Sequence, residues 1–175
     1  MLTDHQTSIM VFYFLDLGKT VDLDDEFKTG ETAIFQSSSL DLTPPSGGPA
    51  SEGTIINIWH DKDILLHISI RRKEGVIVFN SRRAGADWDK EERIPLAGAL
   101  HGPHTTIIVY DHGDQFQILT DYHTLHTIQK RIYENGKSFS YHSDATPAAL
   151  SDQLAVTTIR SIGGSIPAGQ VAPDN

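Results

Sequence analysis

Short runs rich in Val, Ile, Thr, Phe and Tyr recur along the chain, separated by Gly, Pro, Asp and Asn, and within many of them apolar and polar residues alternate. A period of two marks a strand half-buried in a sheet, and no window sustains a helical period over about ten residues. The pattern predicts strands at 8–16, 19–23, 32–38, 54–59, 64–72, 75–82, 88–94, 105–111, 115–121, 124–131, 137–142 and 153–161. The longest apolar run, Ile9-Met-Val-Phe-Tyr-Phe-Leu15, reads as a buried strand. It falls far short of the ~20 residues of a membrane-spanning helix, so no membrane insertion is expected. Arg72-Lys-Glu-Gly75 and Asp111-His-Gly-Asp114 each place a glycine between alternating runs, as tight hairpins require. So many short strands in one small domain favour an all-β chain of two antiparallel sheets packed face to face, a sandwich or jelly roll.

Two segments break the rhythm. Thr43-Pro-Pro-Ser-Gly-Gly-Pro-Ala-Ser-Glu-Gly53 is a long Pro/Gly/Ser loop, and 163–175 reads as a flexible C-terminal tail behind a single domain over 1–162. The length of 175 residues calls for no second core. Composition narrows the chemistry. A net charge of −9, with Arg71-Arg72-Lys73 as the longest basic cluster, argues against nucleic acid. The absence of cysteine removes disulfides, thiolate metal sites and cysteine nucleophiles. The chain starts Met1-Leu-Thr-Asp-His with no Lys or Arg before Lys19, so synthesis in the cytosol without a signal peptide is expected.

The informative polar residues fall in three successive runs. In a strand, His67, Ser69 and Arg71 share one face while Leu66, Ile68 and Ile70 share the other. The next run returns after the Gly75 turn and can bring Asn80 and Arg82 back beside them. In the third, parity joins Glu91 to Arg93, with Trp88 at the mouth of the strand and Glu92 on the opposite face. Taken singly, these are ordinary residues of a solvated sheet. Together they set hydrogen-bonding groups of fixed shape beside an aromatic plate. That combination suits a neutral polyol, whose hydroxyls donate and accept and whose C–H face lies flat on an indole.

His67-x-Ser69-x-Arg71, Val78-Phe-Asn80 and Trp88-x-x-Glu91-x-Arg93 resemble the galectin signature H-x-N-x-R, V-x-N and W-x-x-E-x-R, in order and spacing. The neighbouring Val76-Ile-Val-Phe-Asn-Ser-Arg and Glu91-Glu-Arg-Ile-Pro are similar to fungal fruiting-body galectins, and the likeness runs from about residue 8 to 162. The resemblance implies a jelly roll with a shallow groove for β-galactosides such as lactose and N-acetyllactosamine. In it His67 and Arg71 would bond the axial O4 of galactose, Asn80 and Glu91 its O6, and Trp88 would stack on the ring. Arg71, Glu91 and Arg93 would form a charged network reaching O3 of the next sugar. It further implies a homo-oligomer, dimer or tetramer, that cross-links glycans, release by a non-classical route, and a part in fruiting-body biology or defence. No cofactor or metal is implied.

Ser69 departs from the Asn of animal members and Ile70 from their Pro, which puts one bond to O4 in doubt. The retained Trp88 favours galactosides over chitooligosaccharides, since some chitin-reading fungal relatives replace it. Loop 43–53 resembles an extended loop that lies beside the groove in certain fungal members. Ser51 and Glu52 are its candidate contacts, and a facing Glu52 would discourage sialylated ligands; a connection without ligand contact is the other reading. A glycosidase would need two carboxylates about 5–9.5 Å apart, and Glu91 between two arginines is no raised-pKa acid. His101-x-x-His104 and His123-x-x-His126 have a helical spacing that a strand splits between its faces, so no metal site follows from them. A non-glycan interaction module remains as an alternative.

Overall fold

A computed structural model describes residues 7–162, so the expected tail lies outside the described residues. Among the described residues, twelve strands run β1 (Thr7–Asp16), β2 (Lys19–Phe27), β3 (Thr32–Ser37), β4 (Thr54–His60), β5 (Asp63–Arg71), β6 (Val76–Arg82), β7 (Glu92–Pro95), β8 (Thr105–Asp111), β9 (Gln115–Thr120), β10 (His123–Gln129), β11 (Gly136–Ser143) and β12 (Gln153–Ile162). They form two six-stranded antiparallel sheets, β1-β12-β3-β8-β9-β10 and β2-β11-β4-β5-β6-β7. The expected sandwich is the observed one. Between the sheets lies a core of Leu, Ile and Phe, in which Phe35 of one sheet meets Phe139 of the other edge-to-face at 5.1 Å.

The predicted strand at 88–94 shrinks to Glu92–Pro95, because the backbone at its start is claimed by other groups. Asn80 Nδ2 donates to the Asp89 carbonyl at 2.8 Å, Asp89 N donates to the Ser81 carbonyl at 3.2 Å, and Arg131 Nη2 donates to the Lys90 carbonyl at 2.8 Å. Residues 88–91 therefore cross the end of β6 as a pinned loop. Strand β2 instead runs longer than expected, through the acidic residues Asp24, Asp25 and Glu26.

Strand β1 also departs from expectation. Its apolar run is not buried throughout: Met10, Phe12 and Phe14 are 55%, 72% and 73% exposed, while Val11, Tyr13 and Leu15 turn inward. The four sheet edges differ in protection. Strand β7 is four residues long and ends in Pro95, β10 carries a bulge at Thr124/His126, and β2 presents an acidic run. Strand β1 holds ten consecutive pairs with β12 without a bulge and carries no charge between Thr7 and Leu15.

Among the described residues, two ion pairs are buried. Lys130 Nζ lies 2.6 Å from Asp111 Oδ1, over the Phe116 ring. Glu52 and Arg72 are both wholly inaccessible, with Oε2 and Nη2 3.6 Å apart. Glu52 Oε1 accepts from the backbone N–H groups of Arg72 and Lys73, at 2.9 and 3.3 Å. Arg72 donates onward to the carbonyls of Asp41 and Pro147. This pair binds the long loop to the β5–β6 turn and to the segment before β12.

Candidate functional site

Register brings the three polar runs together. His67 faces Asn80 on β6 and Asn57 on β4, and Ser69 faces Val78, which in turn pairs with Arg93 of β7. Arg82 faces Ile64 beyond a register shift in β5. A groove of about 250 Å³ is lined by Ser51, Ile55, His67, Ser69, Arg71, Asn80, Trp88, Glu91 and Asp144. Arg93 contacts this site through Glu91 rather than as a lining residue, and Arg82 stands against the ring of Trp88 with Cζ 4.7 Å from its centroid.

Glu52 is not part of the groove. Its burial with Arg72 requires a correction: no Glu52 carboxylate stands at the rim to repel an anionic ligand. Ser51, its neighbour, does line the groove. The loop is held there by Lys73 Nζ, which donates to the Gly48 and Pro49 carbonyls at 2.9 and 3.3 Å. It also crosses so close to the floor that a Cβ on Gly53 would stand 2.2 Å from Ser69 Oγ.

A relay across three strands sets the chemistry of His67. The Trp59 indole Nε1 can only donate, and it donates to Ser140 Oγ at 2.7 Å. Asn57 Nδ2 donates to the same hydroxyl at 3.4 Å, which turns Asn57 Oδ1 toward His67 Nδ1 at 2.8 Å. An amide oxygen only accepts, so Nδ1 carries the proton and Nε2 is left as an acceptor. Burial, reinforced by the Arg71 guanidinium, pushes the imidazole down to about 3, so it is neutral. Sequence reasoning missed Asn57 and Ser140; the signal was a lone Asn inside the apolar run Thr54-Ile-Ile-Asn-Ile-Trp59.

Beside His67, Arg71 Nη2 donates to Glu91 Oε1 at 2.8 Å and Nη1 to Glu74 Oε1 at 3.3 Å. Its buried Nε has no partner among the described residues. Arg93 grips Glu91 Oε2 from Nε and Nη2, at 2.8 and 2.5 Å, and reaches Glu74 Oε2 at 2.6 Å. Burial alone would raise the Glu91 carboxyl, but the hydrogen bonds from Arg93 and Arg71 overturn this and hold it below the usual carboxylate range. It is an anchored acceptor and has no proton to give a leaving group. Glu92 points elsewhere, accepting from Arg131 Nη2 at 3.0 Å and lying 3.0 Å from His126 Nε2.

Asn80 is likewise fixed, since its Oδ1 accepts from Arg131 Nη1 at 2.9 Å while Nδ2 holds the Asp89 carbonyl. One proton of that Nδ2 remains for a ligand. Trp88 is 42% exposed and packs against His67 with centroids 4.7 Å apart. The site is thus an open groove with an aromatic wall, one neutral acceptor, several fixed donors and an ionised carboxylate.

Comparison with known proteins identifies the family. The family model for galactoside-binding lectins matches residues 21–159. Galectin-1 of Coprinopsis cinerea is 42% identical over 135 residues, covering 77% of this chain and 85% of that one. The anti-tumor lectin of Cyclocybe aegerita is 31% identical over 150 residues, covering 83% and 94%. Among solved structures, Caenorhabditis elegans galectin LEC-6 superposes with a TM-score of 0.62 over 86% of this chain and 94% of that one. At 18% identity, that likeness speaks for the fold alone. The matched residues contain the whole groove, and the chain belongs to the galactoside-binding lectins, the galectins.

Proposed function

We propose that the groove binds the galactose of a β-galactoside, with lactose and N-acetyllactosamine as its simplest ligands. One observation carries the reading: the groove is lined both by His67, whose Nε2 is left as an acceptor, and by Arg71, whose Nε–H has no partner among the described residues. A single hydroxyl that donates to the first and accepts from the second satisfies both. The axial O4 of galactose fills that role, with O6 at Asn80 and Glu91, and the C–H face on Trp88. Glucose turns O4 equatorial and leaves two polar groups unmatched, at about 1–3 kcal/mol each. A glycan array tests the assignment. Terminal β-galactosides should dominate, and a profile led by chitooligosaccharides would replace the reading. Trp88→Ala should weaken lactose binding by about tenfold or more, since both stacking and apolar contact are lost; Trp88→Phe should keep part of it.

Binding should stay flat from about pH 8 to about pH 5, with no inflection near the ordinary imidazole value of about 6.5. His67 is neutral throughout that range and Glu91 stays ionised. Stability follows a different course. The unfolded chain protonates this histidine near 6.5 and the folded one only near about 3, so stability is lost as pH falls through that window. Calorimetric titration with lactose checks the first statement, and thermal melts across pH check the second. An affinity that falls steeply around pH 6.5 would contradict the assigned tautomer.

The reading extends to a homo-oligomer that presents several grooves at once and cross-links glycans. The unprotected edge of β1 supports this. Laid antiparallel against its own copy with Phe12 at the centre, it sets Met10 opposite Phe14 and opposes no like charges. Light scattering should show at least a dimer, and Phe12→Lys with Phe14→Lys should give a monomer that still binds lactose but no longer agglutinates.

A further inference from the structure

Arg131 stands two residues beyond β10, the edge strand of the sheet opposite the groove, and it is not among the residues that line the groove. Its guanidinium nevertheless crosses to the groove sheet and meets three groups there. Nη1 donates to Asn80 Oδ1 at 2.9 Å, and Nη2 donates to the Lys90 carbonyl at 2.8 Å and to Glu92 Oε2 at 3.0 Å. Glu92 is held from behind by His126 Nε2, 3.0 Å from its Oε1, and the His126 ring stacks on Phe79, the residue before Asn80. A planar fork with this many fixed partners has little freedom to turn.

What the fork decides is which end of the Asn80 amide meets a ligand. Asn80 is 2% exposed, and its Oδ1 is filled by Arg131 and by the Ser81 N–H at 2.8 Å. One Nδ2 proton is spent on the Asp89 carbonyl at 2.8 Å. The second Nδ2 proton is what Asn80 can offer into the groove, so it serves there as a donor and not as an acceptor. Of the three bonds, that from Ser81 is local. The other two depend on Arg131: one ends on it, and the other is made to the carbonyl next to the one it grips, in the loop that carries Trp88.

We infer that Arg131 is a positioning residue that sets the demand of the groove for the 6-hydroxyl of galactose. This rests on the galactoside reading above. With Asn80 fixed as a donor and Glu91 as an ionised acceptor, the groove calls for one hydroxyl that accepts from the first and donates to the second. Arg131 acts on that hydroxyl through Asn80 and not by touching it. Without the guanidinium the amide keeps its bond from Ser81 alone, can turn either end toward the sugar, and half of the demand at position 6 lapses. The demand at position 4 does not pass through Arg131, because His67 is oriented by Asn57, and Arg71 is held by Glu74 and Glu91.

The test is calorimetric titration of lactose and of lactose lacking the 6- or the 4-hydroxyl of its galactose, into wild type, Arg131→Met, Asn80→Ala and the double variant, with a melting curve for each. The quantity read is the affinity ratio of lactose to each deoxy sugar within one protein, so any general weakening through the Trp88 loop cancels. Wild type should prefer lactose to the 6-deoxy sugar by about tenfold or more. Arg131→Met should cut that preference by about three- to tenfold and leave the preference over the 4-deoxy sugar within about twofold. In the Asn80→Ala background it should change the 6-position ratio no further. Arg131→Gln, polar but too short to reach Asn80, is read in the same way and decides the matter if the Met variant does not fold. A 6-position preference that survives loss of the guanidinium, or one that falls in step with the 4-position preference, overturns the positioning role. Asn80→Ala keeps two failures apart. If it loses the 6-position preference while Arg131→Met keeps it, this inference alone falls; if it keeps that preference, or wild type does not bind lactose, the groove assignment falls together with the inference.

Discussion

Replacing Arg71 by Ala should abolish retention on immobilised lactose while leaving the fold intact. Arg71 stands where three parts of the site meet. It donates to Glu91 and Glu74, its Nε–H has no partner among the described residues, and it lines the groove together with His67. On the proposed assignment, removing it takes away a charged hydrogen bond to the sugar, and it leaves Glu91 with Arg93 alone. Truncating one member of a desolvated charged pair in a binding site costs about 2–5 kcal/mol, or roughly thirtyfold to several thousandfold in affinity. Arg71→Lys should recover little, because a single ammonium nitrogen cannot occupy the separate positions from which Nη1 meets Glu74, Nη2 meets Glu91 and Nε faces the groove. Isothermal titration with lactose, alongside a melting curve for each variant, separates binding from folding. A lactose affinity within threefold of wild type in Arg71→Ala would place the sugar elsewhere.

The largest effect on stability should come from Glu52, a residue that does not touch the groove. Glu52→Ala leaves the Arg72 guanidinium buried without its counter-ion, and two backbone N–H groups without their acceptor. Breaking such a pair from one side costs about 3–5 kcal/mol, a large share of the ~5–15 kcal/mol that stabilises a domain. Replacing both partners by apolar residues, Glu52→Leu with Arg72→Met, should recover the part of that loss due to the orphaned charge, since desolvation offsets most of the attraction in a buried pair, but not the part due to the two backbone N–H groups. Urea unfolding of the three proteins measures it. If Glu52→Ala lowers stability by less than about 1 kcal/mol, water or a rearranged loop has replaced the carboxylate and the pair has no central role.

The period-two pattern showed most of this architecture in the sequence. Parity alone placed His67, Ser69 and Arg71 on one face, and the structure keeps them there, opposite Asn57, Asn80 and Val78. Strand faces are legible because a one-residue slip would bury charge. Strand edges are not, because an outward Phe12 or Phe14 reads like an inward one until its neighbours are known. The apolar run of β1 therefore looked like core. Trp88 to Glu91 looked like strand for a related reason: hydrogen bonds from Asn80 and Arg131, remote in sequence, decide where that backbone goes. Glu52 failed differently. Its loop stands out by composition, but the direction of one side chain depends on Arg72 across the turn, and no local pattern carries that information. Arg131, which positions both Asn80 and the Trp88 loop, left no local signal at all.

The locked histidine has a consequence for where a captured glycan goes. Carriers that release cargo inside acidifying vesicles use an imidazole that gains charge near pH 6. Here Asn57 fixes the proton on Nδ1, and burial with the Arg71 guanidinium denies the ring a second one. A galactoside captured at neutral pH should therefore stay bound when its surroundings acidify, and travel with its lectin rather than part from it.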